Sequence, residues 1–419
     1  MSHREYLFSL EQIGIKLGLD QIRALLSTLR HPERSFRAIA VAGTNGKGSV
    51  TAMIERGLRA AGHRTGRYTS PHLIGVEERV AIDGLPVSAA TFDEAAGRVR
   101  AAAAGLPAPP TFFEATTAVA LDVFREAGVE IAVLEVGLGG RLDATNAVDS
   151  LAAVVTAVDL DHQEHLGDSI EQIAGEKAGV IKPGALVILA DNPPAVEAVV
   201  RRRCDEVGAT LVRAAEGVRA RADMEAGLTR LRLDTPRAAY DVALALRGRH
   251  QVANAIAAVR LLEALPTRGA PTVPSSAISA ALSDVRWPGR LEAARWRGRS
   301  VLVDGAHNPA GARALQAYLA EAYGRTLPMV VGVMRDKAVD DILRALAPAA
   351  SRFFCTAPAT ARATPPAELA VRAAAIAPDT PCEAVAAPLD ALARAVASGE
   401  PAVVAGSLYL VGEIRAEWA

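Results

Sequence analysis

Phe36-Arg-Ala-Ile-Ala-Val-Ala-Gly-Thr-Asn-Gly-Lys-Gly-Ser-Val50 runs from an apolar segment through a glycine-rich turn that carries one lysine and one hydroxyl. Beyond it, Val50, Met53, Ile54, Gly57, Leu58 and Ala61 keep the spacing of one helix face, and Gly62 supplies a stop. The reading is strand, turn, helix. A conventional phosphate loop is GxxxxGK[ST], but only Thr44 and Asn45 separate Gly43 from Gly46, and Gly48 stands between Lys47 and Ser49. The physical requirements are met all the same. Glycines let backbone approach phosphate oxygens, a new helix offers unpaired N–H groups at its positive end, and Lys47 brings a mobile cation. Ser49 can place its hydroxyl on Mg²⁺. An ordinary glycine-rich turn is the bland alternative; strand, loop, lysine, hydroxyl and helix in that order favour a triphosphate site.

Outward from this stretch, short apolar runs alternate with segments of helical period, the pattern of parallel βαβ units. FRAIAV, IAVLEVG, LAAVVTAVD and ALVILA read as buried strands. Between 209 and 246, ATLVRA, LTRLRL and YDVALAL alternate more and suggest an antiparallel patch, followed by a helix from about Gln251 to Leu265. Past a hinge near Trp287 to Leu291 a second series begins: SVLVDGAH, PMVVGVM, RFFCTAP, PCEAVAA and PAVVAGSL. The expected class is α/β. Residues 1–288 form a P-loop-type, mostly parallel sheet domain with a small antiparallel addition, and 289–419 a smaller Rossmann-like α/β domain.

The 419 residues favour two domains over one. Charge is nearly balanced, 46 basic against 47 acidic residues, so no sequence-wide attraction to nucleic acid or an anionic membrane is expected. Cys204, Cys355 and Cys382 lie far apart and form no CxxC pair, which suggests neither a disulfide framework nor a thiolate zinc site. The first twenty residues lack the apolar core of a signal peptide, and no run approaches 18 apolar residues. A monomer of the reducing cytoplasm is the expectation.

Two further strand ends offer metal ligands. Glu135 closes IAVLE, and Asp159, Asp161 and His162 follow LAAVVTAV. In an open parallel sheet, ligands collect beyond the carboxyl ends of strands. Ser49, Glu135 and His162 can therefore converge on magnesium, although Mg²⁺ prefers oxygen and keeps waters. Taken singly, Glu135 reads equally as a capping carboxylate and His162 as a surface histidine.

GTNGKGS, YTSPHL at 68–73, EVGLGGRLDATN at 135–146, LDHQEHLG at 160–167, EKAG at 176–179, RWPGRLE at 286–292, DGAHNP at 304–309 and GSLYLVGE at 406–413 together resemble the folylpolyglutamate synthase and dihydrofolate synthase family. These are amide-forming ligases, akin to the muramyl peptide ligases. Muramyl ligases usually carry Thr directly after the loop lysine, whereas the folate branch has the extra glycine seen here as Gly48.

The resemblance implies ATP-dependent ligation of L-glutamate to the carboxylate of dihydropteroate or a reduced folate, through an acyl phosphate. It implies that Thr44, Asn45, Gly46, Lys47, Gly48 and Ser49 form the phosphate loop. Ser49 and Glu135 would hold one magnesium and Glu135 with His162 a second, potassium being a further candidate cation. Lys177 matches a lysine carbamylated in the family; read alone, it is a helix lysine with its charge in solvent. Lys47, Glu135, His162 and Lys177 are thus the expected catalytic set.

Arg290, Asp304 and His307 match nucleotide-contacting residues of a second domain expected to close over ATP. His250 and Asn254 match an element beside adenine. Asp304 reads alternatively as a helix cap. Ser407 and Tyr409 are candidate glutamate contacts, or a tight strand-to-helix turn. For the pterin, Ser70, Pro71 and His72 follow a strand, while Phe112, Phe113, Glu114 and Thr117 stand ahead of a helix. An aromatic ring would stack on the pterin and a carboxylate would accept its N–H groups, unless the phenylalanines are core. Both synthase activities are expected. The other readings are a monofunctional folylpolyglutamate synthase, a UDP-muramyl-type ligase, and a non-catalytic nucleotide switch.

Overall fold

The apolar runs of the first half become neighbouring strands. In the computed structural model, which describes residues 2–225, 227–270 and 272–418, eight of them make one sheet: β1 (Arg37–Ala42), β2 (Thr65–Tyr68), β3 (Val80–Ile82), β4 (Leu85–Pro86), β5 (Ile131–Glu135), β6 (Ala152–Val155), β7 (Leu186–Leu189) and β8 (Thr210–Arg213). Their order is β4-β3-β2-β5-β1-β6-β7-β8. β2, β5, β1, β6, β7 and β8 run parallel, and β3 and β4 add an antiparallel edge. β2, β5, β6 and β7 are buried along their whole length, which is why the central strands read as continuous apolar runs rather than alternating ones.

A separate three-stranded antiparallel group comprises β9 (Arg219–Glu225), β10 (Leu228–Asp234) and β11 (Ala239–Leu244), in the order β11-β10-β9. In β10, Thr229, Leu231 and Leu233 are buried while Arg230, Arg232 and Asp234 face solvent, the alternation of a sheet covered on one side. The expectation for ATLVRA is corrected. It is β8, the parallel edge strand of the main sheet, exposed at Thr210 and Arg213 and only partly buried between them, so it lacks the continuous apolar run of the central strands.

The second series forms a six-stranded sheet from β12 (Glu292–Trp296), β13 (Arg299–Val303), β14 (Leu327–Val331), β15 (Ala350–Cys355), β16 (Cys382–Ala384) and β17 (Ala402–Ala405), ordered β12-β13-β17-β14-β15-β16. Only β12 is antiparallel to its neighbour. Two compact units result. The first holds Met1–Arg221, Arg232–Val242 and Ala253–Val285, and the second Ala222–Leu231, Ala243–Val252 and Arg286–Ala419. Separate apolar cores lie on the sheets: one around Tyr68, Phe92 and Phe124, one around Ile173, Ile181 and Val196, and one in the second unit around Leu315, Ile342 and Phe353. Among the described residues, no helix is long and apolar enough to cross a membrane.

Candidate functional site

Strand order gathers the site. β1 lies between β5 and β6, with Val41 opposite Glu135 and Ala42 opposite Val155, so three parallel strands end side by side. The turn after β1 is therefore flanked by Glu135 on one side and by residues 156–162 on the other. The helix Lys47–Ala60 starts within the turn, and Gly46 is its N-cap at φ +88°, a left-handed conformation that favours glycine. Lys47, Gly48 and Ser49 are its first three residues, so their N–H groups stand at the positive end of the helix, the arrangement that binds anions.

The loop is tied to the segment after β6. Ala157 O accepts from Thr44 N at 2.8 Å and Asn45 N at 3.2 Å. Thr44 Oγ1 donates to Asp159 O and accepts from Asp159 N, each at 3.0 Å. A Cβ at Gly43 would overlap Thr156 Oγ1, and one at Gly46 would overlap Asn254 Oδ1, so both positions admit only glycine. Asn254 thus packs against the loop. Lys47 Nζ donates to Gly43 O at 3.0 Å and to Thr44 O at 3.1 Å, holding its charge at the mouth of the turn.

Lys177 differs from its solvent-facing reading: it is buried, and its Nζ donates to Gly43 O at 2.9 Å. Desolvation, then the positive charge of Lys47, brings its pKa down to about 7, against smaller opposing pulls from Asp161 and Asp143. At neutral pH a large fraction is the free amine, the form that can add CO₂.

Glu135 is buried at the end of β5, and its Oε2 accepts from Ser70 N at 3.1 Å, which joins the turn after β2 to the carboxylate. Ser49 is buried beside the loop. These are two hard oxygen donors. Among the described residues no group of three or more His, Cys, Asp or Glu side chains is arranged to hold a metal alone. Two oxygens such as those of Ser49 and Glu135 suit Mg²⁺, which completes its octahedron with phosphate and water. His162 sits at φ +53° as N-cap of the short helix Gln163–Leu166, with its side chain 37% exposed and Nε2 3.9 Å from Asp161 Oδ1.

On the β2 side, Arg79 Nε donates to His72 Nδ1 at 3.0 Å, which leaves the imidazole proton on Nε2. Burial, reinforced by Arg79, lowers the His72 pKa to about 4. Arg79 also lies 5.0 Å over the Phe112 ring, which stacks on Phe8. Phe113 packs against Tyr68, 6.0 Å between ring centres, and occupies the space where Gly137 lacks a Cβ. Glu114 closes a capping box: its Oε2 accepts from Thr111 N at 2.8 Å and from Thr111 Oγ1 at 2.9 Å. Thr117 Oγ1 donates to Tyr68 Oη. Pro71 follows Ser70 through a cis peptide.

In the second unit, Asp304 does not cap the following helix. Its Oδ2 accepts from Leu291 N and its Oδ1 from Ala306 N, both at 2.8 Å, while Asn308 caps Pro309–Tyr323. Burial raises the Asp304 pKa, against the opposing charges of Arg290 and His250; burial likewise lowers that of His250. Arg290 lies where Gly305 has no side chain, and His307 Nδ1 donates to Gly305 O at 2.7 Å. Ser407 caps Leu408–Arg415 by accepting from Tyr409 N at 3.1 Å, and Tyr409 is exposed.

Sequence reasoning passed over several residues that shape these turns. Asp143 accepts from Gly137 N at 3.0 Å and Leu138 N at 2.8 Å, fixing the start of GLGG after Glu135. Thr156, Arg79 and Asn192 were likewise missed. Asp143 lies within LDATN and Thr156 within LAAVVTAVD, whereas Arg79 and Asn192 stand outside every motif.

Residues 41–262 match the model of the Mur ligase middle domain, and 289–408 that of the Mur ligase glutamate ligase domain. A dihydrofolate synthase/folylpolyglutamate synthase of Mycobacterium tuberculosis is 41% identical over 79% of this chain and 72% of its own. A probable bifunctional folylpolyglutamate synthase/dihydropteroate synthase of Haloferax volcanii is 38% identical over 99% of this chain. The chain spans half the length of that relative. The M. tuberculosis folylpolyglutamate synthase with ADP and AMPPCP superposes with a TM-score of 0.90 at 34% identity, covering 99% of this chain and 98% of the other. A bifunctional folylpolyglutamate synthase/dihydrofolate synthase with Mn, AMPPNP and L-glutamate bound gives 0.86 at 29% identity, covering 100% and 98%. With a nucleotide-type loop, flanking acidic and lysine side chains and both ligase domain models in order, this chain belongs to the Mur ligase family, in its folylpolyglutamate and dihydrofolate synthase branch.

Proposed function

We propose that the chain joins L-glutamate to the carboxyl group of a pterin, using dihydropteroate and also reduced folates as acceptors, with ATP converted to ADP and phosphate. The acceptor carboxylate oxygen bonds to the γ-phosphorus as the bond to ADP breaks. The glutamate nitrogen then bonds to the acyl carbon, phosphate leaves, and the amine gives up its proton. Such chemistry needs positioning and cations rather than a serine or cysteine nucleophile. The observation that carries the reading is the loop itself. Left-handed Gly46 opens a helix at Lys47, and Lys47 and Lys177 both reach the carbonyl of Gly43.

In this reading residues 44–49 hold the triphosphate and Lys47 offsets charge developing on the transferred phosphoryl group. Ser49 and Glu135 would hold Mg²⁺, with His162 at a second ion; the metal supplies a Lewis acid on the phosphate oxygens. Lys177, with a pKa near 7, would work as its carbamate, and potassium would be a further cation. Arg290, Asp304, His307, His250 and Asn254 are assigned to the nucleotide. Ser407 and Tyr409 are assigned to glutamate, and Ser70, Pro71, His72, Phe113 and Glu114 to the pterin side. For Glu114 and Ser407 the capping bonds favour an indirect part, through the turn each one shapes. We read residues 1–288 as the ATP and pterin domain and 289–419 as the glutamate domain of a cytoplasmic monomer.

The test is phosphate release by the purified protein with ATP and glutamate, offered dihydropteroate or a reduced folate. Release with each acceptor, and only when glutamate is present, is expected. Silence with one acceptor removes that activity, and acceptor-independent hydrolysis would indicate a nucleotide switch.

A further inference from the structure

We propose that Thr156 and Asn192 are positioning residues that brace the phosphate loop from outside it, and so set the affinity for the nucleotide diphosphate. The proposal rests on the reading of residues 43–49 as an ATP site. Thr156 is fully buried just beyond β6. Its hydroxyl is 2.8 Å from Asn45 O and 3.2 Å from Ala42 O, carbonyls at the two ends of the turn. A hydroxyl has one proton to give, so the closer carbonyl, Asn45, is its partner. The same oxygen fills the space left by the missing side chain of Gly43, so the turn closes around it.

Asn192 steadies that contact from behind. Its Oδ1 accepts from Val158 N at 2.8 Å, and its Nδ2 donates to Thr156 O at 3.1 Å and Ala190 O at 3.0 Å. Ala157, between those two anchored residues, accepts from Thr44 N and Asn45 N. One amide side chain beyond β7 thus fixes the segment on which the loop hangs. A hydroxyl that merely satisfied the end of β6 would leave nucleotide affinity alone; a brace sets where the loop's N–H groups point.

The test is calorimetric titration of the full chain with ADP in Mg²⁺, together with steady-state kinetics, on wild type, Thr156→Val, Thr156→Ser and Asn192→Ser. Valine keeps the volume and removes the donor. One lost buried hydrogen bond should weaken ADP binding and raise KM for ATP by about fivefold, with KM for glutamate and kcat at saturating ATP nearly unchanged. Serine should restore both. Asn192→Ser, at a half-exposed position, should shift ADP affinity in the same direction, and the double variant should fall short of the product of the two effects. Unchanged ADP affinity in Thr156→Val, or a loss confined to kcat, overturns the brace. If wild type itself binds no ADP, the ATP-site reading falls and the brace with it.

Discussion

Lys177 makes the stability of the protein rise with pH, in the same direction as the acid denaturation of carboxylates but in an alkaline window. Its pKa falls from 10.5 to about 7, a difference of about 3.5 units, or roughly 5 kcal/mol at ~1.4 kcal/mol per unit. The side chain is 4% exposed, so solvent screening removes little of it. The folded value lies below the unfolded one, so the folded state resists protonation. The full cost is present below pH 7 and is relieved as pH rises from about 7 toward 10.5. Lys177→Met carries no such term. It also loses the bond to Gly43 O, but that loss is independent of pH. Urea unfolding of both proteins in CO₂-free buffer, followed by circular dichroism, should show wild type gaining about 1.4 kcal/mol per pH unit on the variant between pH 7.5 and 9.5. Parallel stability profiles across that window would refute a depressed, buried lysine.

Lys47→Ala should cost about a hundredfold or more in kcat/KM for ATP, by loss of the cation at the phosphates. Its effect on urea stability should stay at ~1 kcal/mol, since the bonds to Gly43 O and Thr44 O are made by a part-buried side chain at the mouth of the turn; full activity would contradict the loop assignment. Glu135→Gln keeps an acceptor for Ser70 N but removes the charge, so the Mg²⁺ concentration for half-maximal turnover should rise roughly tenfold, and an unchanged Mg²⁺ requirement would exclude Glu135 as a ligand. His72, with its pKa held at about 4, should show no proton NMR titration between pH 5 and 8. Because that value lies below the unfolded 6.5, His72 should lose the protein stability only as pH falls from 6.5 toward 4, and a midpoint near 6.5 would contradict its burial under Arg79.

What was legible in the sequence is what is local. Gly43 to Ser49 announce their turn because strand period, glycines and helix period meet within fifteen residues, and the central strands announce themselves because both sheet faces are covered. β8 escapes this reading because a short edge strand with polar Thr210 and Arg213 at its ends does not carry the apolar run of the central strands. Thr111 and Glu114 carry the spacing of a capping box, so the engagement of Glu114 was readable, yet its carboxylate drew attention as a ligand first. Lys177 fits the face of its helix equally well buried or in solvent; only packing against the loop decides. Thr156, Arg79 and Asn192 act across distant strands, and nothing in a single sequence marks such pairings.

The tethering of the glycine turn to residues 156–159 also has a temporal side. The bonds that tie Thr44 and Asn45 to the segment after β6 reach partners more than 110 positions later in the chain. Their closing steps wait for β6 and, through Asn192, for the segment after β7. A nascent chain whose first hundred residues have left the ribosome would carry the complete glycine-lysine motif and still lack the frame that shapes it. Nucleotide capture is therefore a late event in synthesis, and an isolated fragment ending before β6 should bind none.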